Sequence, residues 1–345
     1  MGKILFISTP SYLPYPYAIM RALIRNQYTI YEPEYYDRDD LENHKKVQKQ
    51  QNEKYIEAVL QNDIDFVIII NHAYADREFF DVCKMKNLKV FLYTMDSVRW
   101  CDYAVDYLSD YAGIYSFEPT DCGNSLLPAD IEYLPIGYDE ESLYPETSNT
   151  YEYDICFVGM LDKRRIKLLS YVADYAKQNN KRMIVYTDIQ LKHFRGITTI
   201  GKILSRRIRF KIKNKNLYKV IQNKPILGQD LRKLYNGSKI CLNINQGTRN
   251  PEWHTGVNPR TFEIMGCNSF ELIDAGHLDF VDIVAGRDII EFSGKEDLVK
   301  KIDYYLSHDD ERKSIAANGY KIVKEKYTSS AIVKTLLHKI ESILE

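Results

Sequence analysis

The chain has 345 residues, 45% of them hydrophobic, 12% aromatic and 28% charged, which is enough apolar content to fill two ordinary cores. That composition excludes wholesale disorder, a collagen-like fibre and a disulfide scaffold. A net charge of −1 argues against a protein that coats nucleic acid, yet 11 Lys or Arg and no acidic residue fall between Ile189 and Gln229, leaving 36 basic against 48 acidic residues elsewhere.

Short apolar runs alternate with helix-length amphipathic segments, the pattern of βαβ units around a largely parallel sheet. In the first half the spacing predicts strands at Lys3–Ser8, Asp65–Ile70, Lys89–Thr94, Gly113–Phe117 and Ile131–Leu134. Helices are predicted between them at Tyr17–Arg25, Leu41–Gln61, Asp76–Lys86 and Val98–Asp110. Residues 136–153 lack periodicity and read as a linker. A second series follows, with strands at Asp154–Val158, Arg182–Tyr186, Lys239–Ile244, Ser269–Ile273 and Ile289–Phe292. Its helices are predicted at Lys163–Gln178, Gln229–Tyr235, Pro259–Gly266 and Lys295–Ser307. The last 35 residues read as two helices broken near Tyr327–Ser330. The expected division is an N-terminal domain over 1–135, the linker, a C-terminal domain over 154–325, and a final helix over 326–345 packing back on the N-terminal domain.

The six cysteines include no C-x-x-C pair and read as reduced structural thiols. The N-terminus carries no signal-peptide pattern, and the best apolar run, Phe66–Ile70, is too short to span a bilayer, so a cytoplasmic location is expected. Scattered histidines, with no H-E-x-x-H and no D-x-D after a strand, give metal chemistry no support, and no G-x-S-x-G elbow suggests a hydrolase.

Ligands of open parallel sheets bind beyond the carboxyl ends of the strands, so the residues just after each strand are the candidates. In the second half, Gly159 allows a tight turn, and Lys163, Arg164 and Arg165 crowd a helix start where cations oppose the helix dipole. Binding a phosphate supplies the reason for them. Gly256, Asn258, Pro259, Arg260 and Thr261 form a second helix start suited to a diphosphate, and Glu263, one turn in, can accept hydrogen bonds from ribose hydroxyls. In the first half, Asp96 and His72 stand at strand ends and suit proton transfer or the orientation of a sugar or acceptor.

The run Gly256-Val257-Asn258-Pro259-Arg260-Thr261-Phe262-Glu263, together with Leu234 to Ile244, resembles the donor half of the group 1 glycosyltransferases, in their spore-maturation CgeB-like branch. Asp154 to Gly159 followed by Arg164 or Arg165 resembles that branch's opening strand and turn, and Leu298 to Tyr327 its closing helices. The resemblance implies an α/β GT-B enzyme: two Rossmann-like domains with parallel sheets facing across a cleft, C-terminal helices, and a nucleotide diphosphate sugar as donor with no cofactor or metal required. In such an enzyme Asp96, His72 and Arg164 are the candidate catalytic residues and Gly159, Lys163, Arg165, Gly256, Asn258, Arg260, Thr261 and Glu263 the candidate donor contacts, Glu263 matching the ribose-binding glutamate of the family it resembles. Many group 1 enzymes carry another glutamate eight positions earlier, where this sequence has Thr255, so the contact to the sugar's hydroxyls stays unassigned. Glu271 stands eight positions after Glu263 but falls in a predicted strand.

The expected reaction is transfer of a sugar to a cell-surface glycan or lipid-linked acceptor, with retention. The basic segment 201–224 interleaves nine Lys or Arg with apolar residues and suits docking to an anionic membrane surface, which allows a peripheral position on the inner face of the plasma membrane; nucleic acid is not an expected partner. The rival reading is a non-catalytic glycan-binding or assembly module of the same fold.

Overall fold

A computed structural model describes residues 2–8, 14–37, 40–41, 44–100, 105–147, 150–187, 211, 213–246 and 256–345. The chain forms two compact units. The first comprises Met1–Asp139, Glu252–Pro259 and Glu325–Glu345, and the second Glu140–Pro251 and Arg260–Lys324. The stretch 136–153 is therefore divided between the units at Asp139 and Glu140.

The first unit is built on a six-stranded, all-parallel sheet of β1 (Lys3–Ile7), β2 (Thr29–Tyr31), β3 (Phe66–Ile70), β4 (Lys89–Thr94), β5 (Gly113–Ser116) and β6 (Glu132–Tyr133), in the order β2-β1-β3-β4-β5-β6. All five residues of β3 are buried, as expected of a central strand covered on both faces. The crossovers run through α1 (Tyr15–Arg25), α2 (Lys45–Gln61) and α3 (Arg77–Met85). Asp76 caps α3 by accepting the Phe79 N–H. Leu5, Val67, Ile69, Phe79 and Leu92 share one core cluster.

Within the expected helix Val98–Asp110 the described residues include two 3₁₀ turns, Val98–Trp100 and Leu108–Asp110, and residues 101–104 lie outside the described residues. At the first turn Asp121 accepts the Val98 N–H at 3.0 Å and the Ser97 and Arg99 side chains, which anchors its start from outside the segment.

The second unit repeats the plan with β7 (Tyr153–Val158), β8 (Met183–Thr187), β9 (Ile221–Asn223), β10 (Ser238–Asn243), β11 (Glu271–Asp274) and β12 (Ile290–Phe292), all parallel, in the order β12-β11-β10-β7-β8-β9. Its helices are α4 (Lys163–Gln178), α5 (Lys215–Val220), α6 (Gly228–Asn236), α7 (Pro259–Gly266), α8 (Gly294–Ser307) and α9 (Asp309–Lys326). Ile155, Phe157, Leu169, Leu242, Leu272 and Phe292 form its core. Strand order reverses between β7 and β10, so the connections leave their carboxyl ends in opposite directions, the switch point at which open sheets of this kind take their ligands.

The last helix, α10 (Ser329–Leu344), belongs to the first unit and packs along α1. Ser329 N–H donates to the Tyr138 carbonyl at 2.8 Å, and a Cβ on Gly137 would lie 2.7 Å from the Thr328 carbonyl oxygen, so only glycine lets the two chain segments cross. No helix among the described residues is long and apolar enough to cross a membrane.

Candidate donor site at the β7–β10 crevice

Strand β7 ends at Gly159, whose φ of 151° is one that side-chain-bearing residues rarely adopt. The Arg260 Nη2 lies 3.3 Å from where a Cβ on Gly159 would stand. The backbone angle favours glycine, and the guanidinium laid over it leaves little room for a methyl. Asp162 then caps α4 by accepting the Arg165 N–H at 2.8 Å, which fixes the first turn and its three cations.

Those cations go to different places. Lys163 is exposed. Arg165 is 7% exposed; its Nε donates to the Ile244 carbonyl and its Nη1 to the Met160 carbonyl, each at 2.8 Å. Both acceptors are neutral, and burial, with the Arg260 charge next in weight, pulls the Arg165 pKa down to about 10. Arg164 reaches across the end of β10 to β11. Its Nη1 and Nη2 donate to the Asp274 carboxylate at 2.9 and 2.5 Å, and Nη1 also donates to the Asn245 carbonyl at 2.9 Å.

Helix α7 carries the other candidates. Glu263 is buried, and its charge, together with that of Arg260, acts on the buried Tyr235 hydroxyl, which has no hydrogen-bond partner. Thr261 is fully buried and turned toward the sheet, where its hydroxyl donates to Glu271 Oε1 at 3.0 Å; Asn243 Nδ2 donates to the same oxygen at 2.7 Å. Thr261 thus holds the helix on its seat. Burial raises the Glu271 pKa from 4.5 to about 7, against the two donors and Arg260, which favour the ionised form. Thr255 lies outside the described residues, as do residues 188–210 and 212 of the basic segment. Of that segment's described apolar residues, Leu217 belongs to the core, and Val220 and Ile221 pack against it, so they face protein instead of a bilayer. Lys211, Lys213, Lys215, Lys219, Lys224 and Tyr218 are exposed.

In the first unit, four consecutive non-glycine residues after β3, Asn71 to Tyr74, have left-handed φ values of 47° to 61°. From α2, the Tyr55 hydroxyl donates to the Ala73 carbonyl at 3.0 Å and Asn52 Nδ2 to the Tyr74 carbonyl at 2.8 Å. His72, 1% exposed, stacks on Tyr107 and meets the Tyr111 hydroxyl at 2.5 Å through Nδ1. Burial drops its pKa to about 4, so the ring is neutral near pH 7, and its seat in the aromatic core gives it a packing part in this turn. Asp96 is exposed on the turn after β4. That turn is pinned by Asn71 Oδ1, which accepts the Met95 N–H at 2.6 Å, and by buried Asp121. Gly256 packs on Pro119, whose Cδ would lie 2.9 Å from a Cβ there, and Asn258 is half-buried just before α7.

The sequence missed Asp274, Asn243 and Asp121. Asp274 directly follows the predicted strand Ser269–Ile273, a position of the kind that carries site residues, yet no helix start beside it marks it out. Among the described residues no cluster of His, Cys, Asp and Glu is arranged to hold a metal ion.

Residues 194–338 match the glycosyl transferase-like family model Glyco_trans_1_2. The spore protein CgeB of Bacillus subtilis is 33% identical over 97 residues, an alignment that covers 25% of this chain and 28% of that relative. Among solved structures, a sucrose-phosphate synthase from Thermosynechococcus elongatus superposes with a TM-score of 0.68 at 12% identity over 99% of both chains. Anabaena HepE, in complex with UDP and glucose, gives 0.67 at 11% identity over 99% of this chain and 100% of its own.

Proposed function

From a chain of GT-B fold that is glycosyl transferase-like over residues 194–338, we propose a glycosyltransferase that moves a sugar from a nucleoside diphosphate sugar to a cell-surface glycan or lipid-linked acceptor. The observation that carries it is the Arg260 guanidinium laid over Cβ-free Gly159 at the strand-order reversal, with buried Arg165 near enough to feel its charge. Two guanidinium groups that repel each other are relieved by an anion beside both, and a diphosphate fits that need.

In this reading Arg165, Arg260 and exposed Lys163 hold the diphosphate, with Gly159 shaping the backbone around it. Glu263 accepts the ribose hydroxyls, Thr261 seats the helix that carries Glu263, and Arg164 faces the leaving phosphate. The sugar C1–O bond to phosphate breaks, the acceptor oxygen bonds C1 on the same face, and the acceptor proton passes to the departing phosphate oxygen. That retaining course needs no side-chain base, so Asp96 orients sugar or acceptor and His72 holds the neighbouring turn. The charge growing on the leaving group is met by arginines in place of a metal ion. The exposed lysines of 211–224 supply electrostatic attraction to an anionic membrane surface.

Uridine diphosphate is the first ligand to test, because HepE is described with it. Calorimetric titration of the wild-type chain should show binding, and Glu263→Ala should weaken it about tenfold or more, the scale of losing hydrogen bonds to a charged group, with the far-ultraviolet circular dichroism unchanged. A Glu263→Ala variant that binds as the wild type does overturns the assignment.

A further inference from the structure

Asp274 draws together the carboxyl ends of three strands. Its side chain accepts both Nη groups of Arg164, from the first turn of α4 that follows β7, and the backbone N–H of Asn245, after β10, at 2.6 Å, while it stands itself at the end of β11. The carboxylate is 5% exposed and the Arg164 side chain 42% exposed, so the pair has a sealed side and an open side. A guanidinium offers five N–H bonds in a rigid fork. Among the described residues three are committed, two from Nη1 and one from Nη2, which leaves the Nε–H and one Nη2–H.

We propose that Asp274 is a positioning residue for the donor: it fixes the Arg164 fork so that the uncommitted edge meets the leaving phosphate of a nucleoside diphosphate sugar. The inference rests on the donor-site reading above. It assigns Asp274 no contact with the substrate; its whole effect passes through Arg164. Without the carboxylate, Arg164 is a long side chain with freedom to lose on binding, and that ordering cost then falls on the ligand.

A double-mutant cycle separates this from a general structural role. Dissociation constants for uridine diphosphate are measured on the full chain as wild type, Arg164→Ala, Asp274→Ala and the double variant, with Asp274→Asn added because it keeps the shape and removes the charge. Expected are losses of about tenfold for each single variant, a double variant no weaker than Arg164→Ala alone, and an intermediate Asp274→Asn. An Asp274→Ala chain that binds like the wild type overturns the inference, and so does a double variant whose loss is the product of the two single losses. If Asp274→Ala does not fold, the Asp274→Asn and Arg164→Ala pair decides by the same rule. A wild-type chain that binds no uridine diphosphate overturns the donor site itself and the inference with it, whereas binding with an additive cycle overturns the inference alone.

Discussion

Replacing Glu271 by glutamine should change how the stability of the second unit depends on pH. Its carboxyl sits under α7, held at Oε1 by Asn243 and Thr261, with Oε2 buried and without a partner. Arg260 and Glu263 act on it from the helix above. Burial raises its pKa from 4.5 to about 7, so between those values the folded chain holds a proton that the unfolded chain has released. The contribution to stability is therefore full below pH 4.5 and falls as pH rises through about 7, by about 3 kcal/mol in all at 1.36 kcal/mol per pKa unit. Glutamine cannot ionise and keeps an acceptor for both donors. Urea unfolding followed by circular dichroism at pH 5 and pH 8, on wild type and Glu271→Gln, gives the difference in which all shared titrations cancel. The difference should shift toward the variant by most of that 3 kcal/mol at the higher pH. If it stays flat with pH, the carboxyl is already ionised in the folded chain and the reasoning fails.

Two further outcomes follow from the geometry. Gly159→Ala adds a methyl at a φ of 151° and 3.3 Å from Arg260, so uridine diphosphate binding should fall about tenfold or more while the melting temperature drops by a few degrees; unchanged affinity would show that Arg260 does not need its place over the glycine. Asp121→Ala removes the acceptor shared by Ser97, Val98, Arg99 and Ser116, so it should cost about 3 kcal/mol and speed hydrogen exchange at the Val98 amide while leaving the second unit's amides at wild-type rates.

Much of the fold was legible in the sequence where a segment carries its own stop signals. Strand Lys89–Thr94 and helices Lys163–Gln178 and Pro259–Gly266 appear at the predicted limits, because an unbroken apolar run, an aspartate cap and a proline start mark their ends locally. The strands Thr29–Tyr31 and Ile221–Asn223 went unread: each is a three-residue edge strand with exposed positions, too short to show a period. The site divides in the same way. Gly159, Arg165, Arg260 and Glu263 are candidates that strand ends and helix starts point to. What each charge bonds is not legible there, since Arg164 finds Asp274 110 residues on and Asp121 holds a turn more than 20 residues before it. Periodicity reports which face a residue takes, and it holds no record of a partner that tertiary folding brings up.

The crossing of Gly137 with Thr328 has a consequence for synthesis. Residues 325–345 complete the first unit, Arg25 bonding Ser330 and Tyr28 bonding Glu341, yet they emerge from the ribosome after every residue of the second unit. The half of the molecule made first is therefore finished last, and until then the groove along α1 that α10 will fill stands open. A chain stopped before residue 325 would retain the whole second unit and leave the first with that groove uncovered.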